Sequence, residues 1–393
     1  MHRTDAMIHR LLLTLSCLAL LIPFAQASLQ VPPPSDMTAR NYVVMDHLSG
    51  MVLAEHDADD RVEPASLTKI MTAYLVFQEL NSGNMDLEEE VRVSERAWRT
   101  GMSGASRMYI EVNTRVTVED LLRGMIIQSG NDACVALAEH VAGTEGAFVD
   151  LMNAQARALG MNNTQFSNSH GLPSEEAQYT SARDMARLAQ ALIRDFPEYY
   201  RYYSERSFTF NDITQSNRNL LLWRDSHVDG LKTGWTQAAG YNLVSSREQD
   251  GMRLIAVVMG IDAANHQQGG IRRANESQAL YSWGFRQFET HRLYQAGEVL
   301  TEARVWKGET ERVPMGVPDD LYVSVPRGRY NALQAQIELD AGMEAPVREG
   351  EVYGELQLIL DGEVLLRQPL VAMATVEPGG IIRRLWDTVL QMF

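Results

Sequence analysis

The segment Glu63-Pro64-Ala65-Ser66-Leu67-Thr68-Lys69-Ile70-Met71-Thr72 joins a proline stop to an apolar helical pattern. Ile70, Ala73, Tyr74, Phe77 and Leu80 recur at spacings of three and four, which predicts a helix over 66–80. On such a helix Ser66 and Lys69 share one face, a turn apart. A serine hydroxyl is a weak nucleophile until a base takes its proton, and a lysine with a depressed pKa can be that base. The chain holds 35 lysines and arginines, of which only Lys69, Lys232 and Lys307 are lysines. Arginine keeps its proton under ordinary conditions, whereas burial can push lysine toward neutrality.

Working outward, Ser129-Gly130-Asn131 separates Met125-Ile126-Ile127 from a helix pattern opening at Asp132. A serine and an asparagine around a glycine can present a hydroxyl and an amide to one point. Equally, Ser129 or Asn131 can cap the helix, with Asp132 favourable in its first turn. Lys232-Thr233-Gly234 follows Asp229-Gly230-Leu231 and precedes Trp235. Gly234 would let a substrate backbone approach an edge strand, and Lys232 with Thr233 can bind a carboxylate. The competing reading is an ordinary turn into a strand.

The N-terminus reads as a secretory signal over 1–27: Arg3 and Arg10, an apolar run over 11–24, then Ala25-Gln26-Ala27. That run carries Pro23 and falls short of the roughly 20 residues a membrane span needs. Thr14-Leu15-Ser16 is a poor lipid-attachment context for Cys17. With Cys17 removed, Cys134 has no disulfide partner, and its apolar surroundings mark a buried small hydrophobe rather than a nucleophile. A formal charge of −16 argues against nucleic acid as a partner and against a broad polybasic membrane patch.

Strands are expected over 41–45 and 51–55, helices over 117–124, 132–141, 148–159 and 181–194, and strands again over 241–245 and 253–260. Strands at both ends with helices between predict an α+β domain whose sheet is completed late in the chain. Leu333, Ala335, Ile337 and Leu339 alternate with polar residues, as do Leu356, Leu358 and Leu360 before the Asp361-Gly362 turn, so a small half-buried β-domain is expected over 291–376. From Ile381 to Phe393 the apolar residues occupy one half of a helical wheel. That helix is suited to lie in a membrane surface, the alternative being that it packs back on the β-domain. His47 and His56 flank a turn without a plausible third ligand, and no glycine loop for phosphate is evident; no metal or other cofactor is expected.

Together, S-x-x-K, S-x-N and K-T-G in this order form the signature of the serine penicillin-recognising enzymes. The chain most resembles their low-molecular-mass members, the D-alanyl-D-alanine carboxypeptidases of peptidase family S11. The resemblance runs from the signal segment to Phe393 and includes Gln128-Ser129-Gly130-Asn131-Asp132-Ala133 and Ser181-Ala182-Arg183-Asp184-Met185. It implies a penicillin-binding, β-lactamase-like transpeptidase domain over 28–290, with an antiparallel sheet and a helical subdomain. A β-sandwich-like domain over 291–376 and an amphipathic anchor helix over 377–393 would follow. Peptidoglycan stem peptides and β-lactam antibiotics are the implied partners, and the periplasmic face of the bacterial inner membrane is the implied location.

Residue by residue, the resemblance makes Ser66 the nucleophile and Lys69 its base. Ser129, with Lys232 nearby, would protonate the leaving amine, and Asn131 would hold the acyl-side amide. The backbone N–H groups of Ser66 and Trp235 would form the oxyanion hole. Thr233, beside Gly234, would bind the free carboxylate together with Arg218 and Arg273. His170, in a family His-Gly-Leu segment, reads as a structural histidine. Trp235 stands where relatives often carry histidine, and 99–107 matches a loop thought to influence deacylation, whose glycines and serines imply mobility. Two other readings are a serine β-lactamase, for which no Glu-x-x-x-Asn occurs between Asn131 and Lys232, and a non-catalytic wall-binding scaffold. An endopeptidase is a nearer variant of the carboxypeptidase.

Overall fold

A computed structural model describes residues 31–102 and 105–392. The expected signal segment with Cys17 lies outside the described residues, as do Phe393 and part of the 99–107 loop. Antiparallel strands β1 (Asn41–Asp46) and β2 (Val52–His56) open the first domain. The helical part follows as α1 (Thr68–Asn81), β3 (Glu90–Arg92), α2 (Glu95–Met102), β4 (Arg115–Thr117), α3 (Val118–Arg123), α4 (Asn131–Ala142), α5 (Glu145–Ala158) and α6 (Ala182–Asp195). Then come α7 (Pro197–Tyr200), the hairpin of β5 (Ser207–Phe210) and β6 (Ile213–Ser216), and the single turn α8 (Leu221–Arg224). Strands β7 (Val228–Thr236), β8 (Gly240–Gln249) and β9 (Met252–Ile261) return to the first two, giving the antiparallel order β2-β1-β9-β8-β7. β7 therefore forms one edge of the sheet.

Alternation along the strands sends successive side chains to opposite faces. Val43, Val244 and Val257 join Ile70 and Phe77 of α1, Leu137 of α4 and Leu192 of α6 in one core. Val44, Leu254 and Val258 point the other way, onto Leu280, Tyr281 and Trp283 of α9 (His266–Gln287). α1 is buried almost all round, as a central helix must be, and even Lys69 and Thr72 lose their water. Helices α3, α5 and α6 begin at threonine or serine caps: Thr117, Thr144 and Ser181 accept from Asp120, Ala147 and Asp184 N–H groups.

The sequence pattern gives no warning of α9. Gly269 and Gly270 weaken its helical propensity, yet Gly269 is what lets the helix reach the sheet. A Cβ there would stand 2.4 Å from the Tyr241 ring. Part of the 99–107 loop is likewise helical, since α2 runs to Met102.

The second domain comprises β10 (Phe288–Tyr294), β11 (Val299–Arg304), β12 (Arg312–Gly316), β13 (Leu321–Pro326), β14 (Gln334–Leu339), β15 (Val352–Leu360) and β16 (Glu363–Ala372). A β10–β13 ribbon stands beside a sheet ordered β11-β12-β16-β15-β14. Strand β10 spans the expected boundary at 290/291. Leu356, Leu358 and Leu360 are buried, whereas β14 is an edge strand whose Leu339 is exposed, so its alternation marks a far shallower face. The two domains share an apolar core and a buried polar junction. There Asp46 accepts from Thr290, and Ser49 and Ser324 hydroxyls stand 2.7 Å apart.

Helix α10 (Ile381–Leu390) closes the described chain with its polar side against the β-domain. Asp387 accepts the Lys307 N–H at 2.6 Å, and Gln391 donates to Glu344. Ile381, Ile382, Leu385 and Trp386 are each 65% or more exposed. The apolar stripe thus does not pack back on the β-domain.

Candidate active site

Ser66 sits on a tight turn rather than in the first turn of an α-helix. Residues Ala65–Leu67 form a 3-10 turn, and Ala65 has φ +48°, a left-handed conformation that an alanine adopts only under strain. Helix α1 then starts at Thr68, so Lys69 stands in its first turn, 1% exposed. Lys69 Nζ donates to Ser66 Oγ at 3.1 Å, to Asn131 Oδ1 at 2.7 Å and to the His170 carbonyl at 2.6 Å. All three acceptors are neutral oxygens. Burial lowers its pKa to about 8, further depressed by the Arg218 cation and partly offset by Asp132.

The second pattern is built by a change of helical pitch. Residues Gly124–Gln128 make a π-helical turn that ends on Ser129 in the left-handed region, with φ 69°. Gly130 occupies the cap position of α4 and neither Ser129 nor Asn131 caps it, so the capping reading fails. Asn131 Oδ1 instead accepts a hydrogen bond from Lys69. Ser129 Oγ is buried and has no hydrogen-bond partner among the described residues. Its proton and lone pairs are therefore left for a ligand. Asp132 accepts from the Met108, Tyr109 and Ile110 N–H groups, tying the loop beside the site to the start of α4.

Lys232-Thr233-Gly234 lies within edge strand β7 and not in a turn. Gly234 faces the nucleophile's turn, where a Cβ would meet the Pro64 carbonyl at 3.2 Å and the Leu67 nitrogen at 3.3 Å. This close approach sets edge strand β7 directly against the Ala65–Leu67 turn. Lys232 is buried, and its ammonium makes one long contact among the described residues, 3.4 Å to the Thr233 carbonyl. Burial pushes its pKa well down, with Lys69 and Arg218 adding repulsion. Arg273 reaches from α9 to the carbonyls of Gly234 at 3.5 Å and Arg218 at 3.3 Å, and burial lowers it to about 10. Asn219 fixes the Arg218 segment to the strand by donating to Gly230 at 2.9 Å. The result is a concentration of cations around an open strand edge, an arrangement that attracts a carboxylate.

Two contributors were not visible as side-chain chemistry. The first is the His170 carbonyl, which accepts a hydrogen bond from Lys69 while the imidazole plays a structural part, its Nδ1 accepting from Leu172 N–H. Burial and the Lys69 cation lower that ring to about 4, so it is neutral near pH 7. The second is buried Glu145, which accepts from Ser169 N–H and Oγ and pairs with Arg96, holding the loop that offers the carbonyl. Cys134 donates to the Gly130 carbonyl, and burial raises it to about 12, far from a reactive thiolate.

Residues 26–263 match the family model of D-alanyl-D-alanine carboxypeptidases, and residues 288–378 match the C-terminal domain of penicillin-binding protein 5. The chain belongs to the D-alanyl-D-alanine carboxypeptidase family. It is 44% identical over 381 residues to D-alanyl-D-alanine carboxypeptidase DacC of Escherichia coli K12, covering 96% of this chain and 94% of the relative. Among solved structures it is similar to penicillin-binding protein 5 of Haemophilus influenzae, with a TM-score of 0.82 and 43% identity over 88% of this chain and 99% of that one. An ampicillin-bound penicillin-binding protein D2 of Listeria monocytogenes is also similar, at 28% identity and a TM-score of 0.58, covering 65% of this chain and all of that one. The carboxypeptidase family's two-domain pattern thus extends over both domains described above.

Proposed function

We propose that the protein is a serine D-alanyl-D-alanine carboxypeptidase that trims the terminal D-alanine from peptidoglycan stem pentapeptides and so limits crosslinking. The observation that carries this reading is the 3.1 Å contact between Lys69 Nζ and Ser66 Oγ, made by a buried lysine of depressed pKa. Neutral Lys69 takes the Ser66 proton as Oγ attacks the carbonyl between the two D-alanines. The oxyanion develops against the N–H groups of Ser66 and Trp235. Ser129, with Lys232 nearby, passes its proton to the leaving nitrogen and takes one back from the Lys69 ammonium, so the C–N bond breaks, D-alanine departs and Lys69 is neutral again. Water then attacks the Ser66 ester while neutral Lys69 accepts its proton and hands it to the departing Ser66 Oγ, releasing the shortened peptide and restoring both groups.

Asn131 spends its oxygen on Lys69, leaving its amide nitrogen to donate to the acyl-side carbonyl. Thr233, with Arg218 and Arg273, receives the free terminal carboxylate. That cationic end favours a terminal residue over the internal bond an endopeptidase would cut. β-Lactams would acylate the same serine. Intact-mass measurement after incubation with benzylpenicillin tests this: a single adduct on the Ser66 peptide, absent in Ser66→Ala, is expected, and an adduct elsewhere contradicts it.

An exported enzyme held at the periplasmic face of the inner membrane completes the proposal. The exposed apolar stripe of α10, with its polar side bonded to the β-domain, supports attachment to a membrane surface.

A further inference from the structure

Beyond Gly234 the edge strand runs into an aromatic corner that the reaction steps above do not use. The Trp235 ring is 43% exposed, and the His266 ring meets it edge-to-face with centroids 4.5 Å apart. His266 is itself fixed, 3.2 Å from the Tyr241 hydroxyl through Nδ1 and at the first position of α9, where Asn265 caps the helix by accepting from Gln268 N–H. Gly269 holds Tyr241 against that helix. Trp235, Gln237, Tyr241, Ile261, Asn265 and His266 line an open recess of about 410 Å³. Large exposed rings held from two sides present a ready apolar surface with little conformational entropy left to lose. Asp262 stands at its rim, already paired with Arg40.

What reaches the recess follows from the strand. A peptide added antiparallel to β7, with its terminal carboxylate at Thr233 and its scissile carbonyl at Ser66, passes Trp235 and then Gln237 as it runs toward its own N-terminus. We infer that this recess is a subsite for the side chain immediately preceding the terminal D-Ala-D-Ala, and that it selects an unbranched aliphatic chain, whose methylenes lie on the Trp235 ring. The inference rests on the carboxypeptidase reading for its substrate and on the corner's geometry for its selectivity.

The test compares D-alanine release from two N-acylated tripeptides ending in D-Ala-D-Ala, one with glycine and one with L-norleucine at the preceding position. Wild type is expected to favour norleucine in kcat/KM by about tenfold. In Trp235→Ala that ratio should fall to near one, and in His266→Ala, which removes the edge support, it should fall part of the way. An absent wild-type preference, or a ratio that survives both variants, overturns the subsite. A second measurement does not depend on hydrolysis: acylation rates by 6-aminopenicillanic acid and by a penicillin with an unbranched alkyl acyl chain. The alkyl compound should be favoured by wild type and lose its advantage in the same two variants. If neither tripeptide is cleaved while penicillin still acylates Ser66, the carboxypeptidase reading fails, and the alkyl preference alone decides the subsite.

Discussion

A Cβ built on Gly171 would stand 1.8 Å from the Ala65 carbonyl oxygen. The loop that carries His170 and the turn that carries Ser66 are therefore in backbone contact. Because the His170 carbonyl also accepts from Lys69, the base's acceptor and the nucleophile's turn form one rigid unit. Gly171 has φ +84°, a conformation that only glycine adopts freely.

Gly171→Ala should accordingly displace the Ser66 turn. We expect benzylpenicillin acylation to slow by about 100-fold, since misplacement of about 1 Å has that effect on rate. The melting temperature should fall as well, from both the clash and the left-handed backbone. A variant that acylates at the wild-type rate would show that the two segments move independently.

The depressed pKa of Lys69 predicts a pH profile. Only the neutral amine accepts the Ser66 proton, so acylation should rise with pH through about 8 and fall roughly tenfold per unit below it. Stopped-flow acylation in Ser66-competent enzyme over this range measures it. In the unfolded chain the amine titrates near 10.5, so between about 8 and 10.5 the folded protein binds fewer protons. The cost of burying Lys69 is therefore complete below pH 8 and relieved as pH rises through that window. Urea unfolding should show Lys69→Met gaining on wild type at pH 7 and losing about 2–3 kcal/mol of that relative gain by pH 10.

Helix α10 should be dispensable for chemistry. A chain ending at Gly380 is expected to hydrolyse a soluble peptide as the full chain does, yet to stop sedimenting with anionic phospholipid vesicles. Trp386→Asp should weaken sedimentation in the full chain without unfolding the β-domain. Unchanged vesicle binding in both would remove the anchor reading.

Where chemistry lives in side chains at fixed spacing, the sequence was readable. Ser66, Lys69 and Asn131 converge within hydrogen-bond distance, and the expected strands of the first domain all fall in one sheet. Periodicity also found α1, α3, α4, α5 and α6 to within a few residues. It missed what depends on backbone atoms and distant close approaches. The left-handed Ala65 packs its carbonyl against a loop a hundred residues away, and the His170 carbonyl carries no residue-type signal. Helix α9 escaped because its glycines serve packing on Tyr241 rather than helical propensity. The alternation in β14 suggested a half-buried strand, but an edge position left that strand largely in water.

The most direct measurement is free D-alanine released from a pentapeptide ending in D-Ala-D-Ala, followed in wild type beside Ser66→Ala. Release by wild type, with a loss of several orders of magnitude in the variant, is the predicted result. Equal release by both proteins would contradict a Ser66 acyl-enzyme, and no release by a folded, penicillin-acylated wild type would contradict carboxypeptidase activity itself.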